Sequence, residues 1–173
     1  MDYVSCTNQQ HAAAILEILN DAIVHTTALY DYSPRTLTDM DSWFDAKTSA
    51  GFPVIGAVGR EGRLQGFATY GIFRNWPAYK YTVEHSVYIH RGYRGRGTAL
   101  GLMQRLIAAA RQQQIHVMIG AIDVANTASI ALHEKLGFAW AGTIKEVAFK
   151  FGGWLDLAFY QRILETPRQP VDG

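Results

Sequence analysis

With 173 residues, 49% of them hydrophobic, the chain has a globular balance and about one domain's worth of sequence. Sixteen Lys and Arg against fifteen Asp and Glu leave a formal charge of +1, which excludes the large basic excess of a dedicated nucleic-acid binder. The single cysteine, Cys6, excludes an internal disulfide or a Cys-based metal site, and the six histidines fall in no metal-ligand spacing.

The first eight residues, Met1 to Asn8, lack both a basic start and an apolar run, and no apolar stretch approaches the ~20 residues of a membrane helix. The expectation is a cytoplasmic protein with no membrane, nucleic-acid or metal partner. One domain is expected over residues 1–165, with a flexible tail at 166–173.

In chain order, a short strand near Tyr3 to Cys6 precedes a helix capped by Thr7 or Asn8. There Ala12, Ile15, Leu16, Leu19, Ala22 and Ile23 recur at helical spacing. A loop from Thr26 to Thr36 leads to a second helix, Asp39 to Ser49, with Thr38 as its cap and Met40, Trp43 and Phe44 on one face. Strands Val54 to Val58 and Leu64 to Phe73 flank the hairpin connection Arg60-Glu61-Gly62-Arg63. Thr82 to Ile89 is a strand, Gly97 to Gln114 an amphipathic helix, Val117 to Ile122 a strand and Thr127 to Leu136 a helix. Two late strands close the chain, around Val147 to Phe151 and Leu155 to Ile163. Trp43, Phe44 and Trp140 are assigned to the core. The order predicts an α/β domain with a partly antiparallel sheet.

Between Val87 and Ala99, a strand runs through three glycines and three arginines straight into a helix. Glycines let successive N–H groups converge on one anion, and the helix N-terminus adds partial positive charge and unpaired donors. A diphosphate suits such a turn; the alternative is an ordinary Gly-rich turn with solvated arginines. No Gly-Lys-Ser/Thr tripeptide occurs, which excludes a Walker A loop. Leu100 stands where a dinucleotide fingerprint needs its last glycine.

Arg94-Gly95-Arg96-Gly97-Thr98-Ala99 resembles the acetyl-coenzyme A loop of the GNAT N-acetyltransferase superfamily, Gln/Arg-x-x-Gly-x-Gly/Ala. Asn126-x-x-Ser129 and Leu132-His133-Glu134-Lys135-Leu136-Gly137-Phe138 resemble its last conserved block. Three further stretches are similar to the phosphinothricin and methionine sulfoximine N-acetyltransferases: His25-Thr26-Thr27-Ala28, Tyr81 to Tyr88, and Lys150 to Asp156. One departure is Phe73-Arg74-Asn75-Trp76, where those enzymes often have Trp-Arg-x-Phe. The resemblance implies a mixed, mostly antiparallel sheet flanked by helices and splayed between its fourth and fifth strands. It also implies acetyl-CoA as co-substrate, a small amino-acid analogue as acceptor, and a homodimer.

Acetyl transfer to an amine needs a neutral nucleophile, a held carbonyl and a protonated leaving thiolate. An α-amino group with a pKa near 8 is only about one-tenth neutral at pH 7. At the position where the resemblance puts the catalytic carboxylate stands Glu84; strand position alone favours an exposed charge balancing Lys80 or an arginine, and the resemblance reverses that preference. Alternation puts His85 on the opposite face, unless a β-bulge turns both toward the substrate. The resemblance makes His85 and Ser86 substrate-lining, and Val87, Tyr88 and Ile89 the backbone partners of pantetheine. It makes Arg94, Gly95, Arg96, Gly97, Thr98 and Ala99 the diphosphate loop, with Asn126 and Ser129 as further coenzyme contacts. His133 is either the acid that protonates the thiolate or a helix-surface histidine, and Asn126 also suits a helix cap. Arg74 is the clamp for the acceptor's carboxylate, with Asn75, Trp76 and Tyr30 around it; the alternative for these aromatics is a dimer seam.

Overall fold

The spacing of Ala12, Ile15, Leu19, Ala22 and Ile23 gives the first helix one apolar stripe, and in the computed structural model, which describes residues 1–172, all five are buried. The elements run β1 (Asp2–Ser5), α1 (Asn8–His25), α2 (Leu37–Ser49), β2 (Val54–Val58), β3 (Leu64–Ile72), β4 (Thr82–Ile89) and α3 (Thr98–Gln112). They continue with β5 (Val117–Asp123), α4 (Thr127–Lys135), β6 (Ala139–Lys150) and β7 (Gly153–Ile163). The strands form one sheet in the order β1-β2-β3-β4-β5-β7-β6, with β4 and β5 parallel. No helix among the described residues is long and apolar enough to cross a membrane.

Contacts divide the chain into two compact units, each discontinuous in sequence: Met1–Thr69 with Ser86–Leu106, and Tyr70–His85 with the chain from Ile107 onward. Strands β3 and β4 and helix α3 contribute residues to both. In the first unit, β1 and β2 pair antiparallel from Asp2↔Val58 to Ser5↔Ile55, and β2 pairs with β3 with a register shift at Ala57/Val58. Cys6, Ile15, Ile18, Leu19, Met40, Phe44, Val54, Leu64 and Phe67 make its core. Each large apolar side chain so buried contributes roughly 1.5–3 kcal/mol. The cap of α2 is Thr36 rather than Thr38: its hydroxyl accepts from the Asp39 N–H, and the Asp39 carboxylate accepts from the Thr36 N–H. A residue with a carboxylate three positions on closes this reciprocal box, and Thr38 has Asp41 there but lies inside the helix.

In the second unit, β4 pairs parallel with β5 from Thr82↔Val117 to His85↔Gly120. β5 pairs antiparallel with β7 over its whole length, and β7 pairs with β6. The predicted late strand starts eight residues too late, because β6 begins at Ala139. Register shifts at Trp140/Gly142 and Ile144/Ala148, with Glu146 at φ 52°, break the alternation that marks a strand. Trp140 is not in the core: it is 63% exposed on this outermost strand, its indole N–H donating to Thr143 Oγ1. In the stretch expected to be a tail, the Thr166 hydroxyl donates to the Ile115 carbonyl and the Val171 N–H donates to Tyr81 Oη. Gly173 lies outside the described residues.

Candidate active site

In the first unit, β4 ends at Ile89 and feeds a loop whose start is fixed by one side chain. His90 Nδ1 accepts the Gly92 N–H at 3.1 Å, and Tyr93 N–H donates to the His90 carbonyl, making the short turn Arg91–Tyr93. Gly95 and Gly97 then take φ of +75° and +77°, the left-handed region that a side chain disfavours, and nothing lies within 4 Å of a Cβ built on either. The Gly97 carbonyl accepts from the Gly101 N–H and so starts α3, leaving the N–H groups of the first turn without intrahelical acceptors. The first helical residue, Thr98, is buried, and its hydroxyl makes no hydrogen bond. These open glycines, free amides and unused hydroxyl fit a diphosphate. The three arginines are not equivalent. Arg91 and Arg94 both reach Asp21, at 3.5 and 3.4 Å, while Arg96 lies over the Tyr93 ring at 5.4 Å.

Glu84 lies in the second unit, on the stretch of β4 that pairs with β5, half-buried. Burial raises its carboxyl above the ordinary glutamate value, and the Arg74 guanidinium pulls it partly back. A carboxylate made more basic by burial is better matched to taking a proton from an ammonium group. Arg74 follows β3, is exposed, and stacks over Phe73 at 5.5 Å; Phe73 meets Tyr79 edge-on. Asn75 and Trp76 beside it are exposed, Trp76 to 74%.

The neighbouring His85 goes the other way. No bulge interrupts the register from Thr82 to His85, so alternation holds and Glu84 and His85 occupy opposite faces. His85 is 5% exposed and stacks on His133, 2% exposed, with their Nε2 atoms 2.8 Å apart. The turn before α4 sets up this contact. Asp123 accepts the Ala125 N–H, and Asn126 caps α4 by accepting the Ser129 N–H at 3.1 Å. The Ser129 carbonyl, one turn above His133, lies 2.6 Å from His133 Nδ1. The pair also needs Gly120 on β5: a Cβ there would stand 2.9 Å from His85 Cε1 and 3.0 Å from His133 Nε2.

The proton positions follow by elimination. A carbonyl only accepts, so His133 Nδ1 carries hydrogen and donates to Ser129. Burial lowers the His133 pKa, leaving a neutral ring whose Nε2 is a lone pair. His85 Nε2 must then donate to it, while His85 Nδ1 is buried without a hydrogen-bond partner. Burial pushes His85 down to about 3, the His133 ring adds to that, and the Ile119 backbone works partly against it. Both nitrogens of His133 are thus engaged, and the helix-surface alternative for this residue is set aside by its burial.

Among the other predicted residues, Ser86, Val87, Tyr88 and Ile89 continue β4 into the first unit, half-buried, with the Tyr88 ring against Phe67 at 5.6 Å. Tyr30 is half-buried in the loop after α1. Sequence reasoning missed Gly120, Glu17 and Asp21. The two acids are spaced i, i+4 on α1, a signal that they share one face.

Comparison with known proteins points to one family. The sequence profile of the acetyltransferase (GNAT) family matches residues 13–138. The L-methionine sulfoximine/L-methionine sulfone acetyltransferase of Pseudomonas aeruginosa is 44% identical over 154 residues, 89% of this chain and 90% of that protein. The L-amino acid N-acyltransferase of Escherichia coli is 40% identical over 159 residues, 91% of each chain. A GNAT phosphinothricin acetyltransferase from Sinorhizobium meliloti, solved in complex with acetyl-CoA, superposes with a TM-score of 0.93 at 32% identity, covering 98% of this chain and 91% of that one. With a profile match over well over half its length and relatives above 40% identity, the chain belongs to the GNAT family of acetyltransferases.

Proposed function

We propose that this enzyme moves the acetyl group of acetyl-CoA to the amino group of a small amino-acid analogue such as L-methionine sulfoximine or L-phosphinothricin. The observation that carries this reading is Glu84, a half-buried carboxylate of raised pKa beside the Arg74 guanidinium. A base and a carboxylate clamp are the two groups an amino-acid acceptor needs, and relatives at 44% and 32% identity are named for such acceptors.

The acceptor's carboxylate or phosphinyl group pairs with Arg74, where a guanidinium makes two parallel hydrogen bonds. Asn75 and Trp76, next to Arg74 in the chain, frame the acceptor. Glu84 takes the ammonium proton, directly or through water. The freed amine attacks the thioester carbonyl; as the C–S bond breaks, the nitrogen sheds its second proton to solvent water, leaving the amide, and the thiolate departs. Neutralising the amine costs roughly 1.4 kcal/mol at pH 7, whereas alignment of the reactants supplies up to ~7–11 kcal/mol. The diphosphate goes to the amides of Gly95 to Ala99 and to Arg96, and pantetheine to the backbone of Val87, Tyr88 and Ile89. Asn126, whose Oδ1 is used as a cap, offers its NH₂ to the coenzyme. Hydrogen bonds at both His133 nitrogens support a positioning role over an acid role. His85 supports it from the opposite face to Glu84. A thiol released with a pKa near 8.5 takes its proton from water.

A homodimer is part of the proposal. Phe149, Phe151 and Trp154 are each 46–63% exposed on or between β6 and β7, and Phe149 meets Trp154, an apolar patch that suits burial against a second copy. The lone buried Cys6 suits a reducing cytoplasm, and acetylating a herbicidal amino-acid analogue would give resistance to it. The test is thiol release with four acceptors: phosphinothricin, methionine sulfoximine, spermidine and a short peptide. Turnover with the first two alone is expected. Turnover only with spermidine or peptide, or acetyl-CoA binding without thiol release, refutes the reading.

A further inference from the structure

The loop arginines look like phosphate ligands in the sequence, yet two of the three are already committed to helix α1. Asp21 is only 18% exposed, and its two oxygens face different guanidiniums: Oδ1 lies 3.5 Å from Arg91 Nη1 and Oδ2 3.4 Å from Arg94 Nη2. One turn earlier, Glu17 Oε1 accepts from Arg63 Nη2 at 3.0 Å and from His90 Nε2 at 3.1 Å. The same His90 ring holds the Gly92 N–H through Nδ1, which assigns its hydrogen to Nε2 and makes the Glu17 contact a donated bond. The Arg94 Nε–H also donates to the Ile89 carbonyl. Two acids at i, i+4 therefore grip positions 90, 91 and 94 of the loop.

We propose that Asp21, with Glu17 behind it, is a positioning residue for coenzyme binding. Its one carboxylate is shared by the Arg91 and Arg94 heads, offsets part of their charge and draws them toward α1, so that the loop's backbone amides and Arg96, rather than Arg91 and Arg94, meet the diphosphate. Arg96 takes part in no ion pair among the described residues and has only the Tyr93 ring beneath it. Asp21 touches no reacting atom; it sets the shape and charge of the cradle in advance. A pre-ordered cradle binds tighter because its ordering cost has been met on folding. This inference rests on the proposed placement of the diphosphate at Gly95 to Ala99.

The test is Asp21→Asn, which keeps the shape and removes the charge, read with two acetyl donors: acetyl-CoA and acetyl-pantetheine, which has no diphosphate. Wild-type binding of acetyl-CoA by calorimetry checks the underlying placement, and its absence overturns both. The expected result is a roughly three- to tenfold rise in Kd and KM for acetyl-CoA, the scale of two weak ion pairs. With acetyl-pantetheine the variant matches wild type within about twofold. Glu17→Gln gives a smaller change in the same direction, and Asp21→Glu restores part of the affinity. Unchanged acetyl-CoA binding in Asp21→Asn overturns the inference, as does an equal loss with both donors, which would mark a merely structural role.

Discussion

Replacing His85 by glutamine isolates the energetic consequence of burying an imidazole that stays neutral. Burial and the adjacent His133 ring hold the folded-state pKa near 3, whereas an unfolded histidine titrates near 6.5. Between those values the unfolded chain binds a proton that the folded chain refuses. Stability is therefore full above pH 6.5 and falls as the pH drops toward 3. From pH 7.5 to 5.5 the protonated share of the unfolded histidine rises from about a tenth to about nine-tenths, and the loss from this one residue is about 1.4 kcal/mol. His133, lowered by burial as well, works in the same direction in both proteins. A glutamine amide can still donate to His133 Nε2, so the variant keeps the contact and removes the titration. Urea unfolding at the two pH values measures it: wild type should lose about 1.4 kcal/mol more than His85→Gln on acidification. An identical pH dependence would mean that the buried ring accepts a proton in place, and the neutral-pair assignment would fail.

Gly120→Ala drives a methyl between the two rings, 2.9 Å from His85 Cε1 and 3.0 Å from His133 Nε2. Such overpacking costs about 1–3 kcal/mol, and a lowered Tm by scanning calorimetry is the expected result; an unchanged Tm would show that the rings can separate freely. Arg74→Ala should raise the acceptor KM roughly ten- to a hundredfold in steady-state assays, the scale of a charge-assisted hydrogen bond, with little change in the KM for acetyl-CoA. An unchanged acceptor KM would remove the clamp.

Much of the scaffold was legible because its signals are local. β2 and β4 span the residues predicted for them, and α1 buries the stripe its spacing predicts apart from the half-buried Leu16. What failed was tertiary. β6 lies at the sheet's end, largely exposed and twice bulged, so neither burial nor period announced its first eight residues, and Trp140 became a surface side chain. At the site, Glu84, Arg74, Asn126 and the glycine loop were visible as residue types in context. The His85–His133 contact joins positions 48 apart in sequence. Gly120 matters only through the two rings above it, and Asp21 reads as a solvated helix charge until the loop is folded against it.

The pH–rate profile of Glu84→Gln tests the central claim most directly. With the base gone, kcat at pH 7 should fall because only about one-tenth of an amine of pKa near 8 is already neutral. It should then climb toward the wild-type value above pH 9, where the amine sheds its proton unaided. A deficit of constant size from pH 6.5 to 9.5 would contradict proton removal by Glu84.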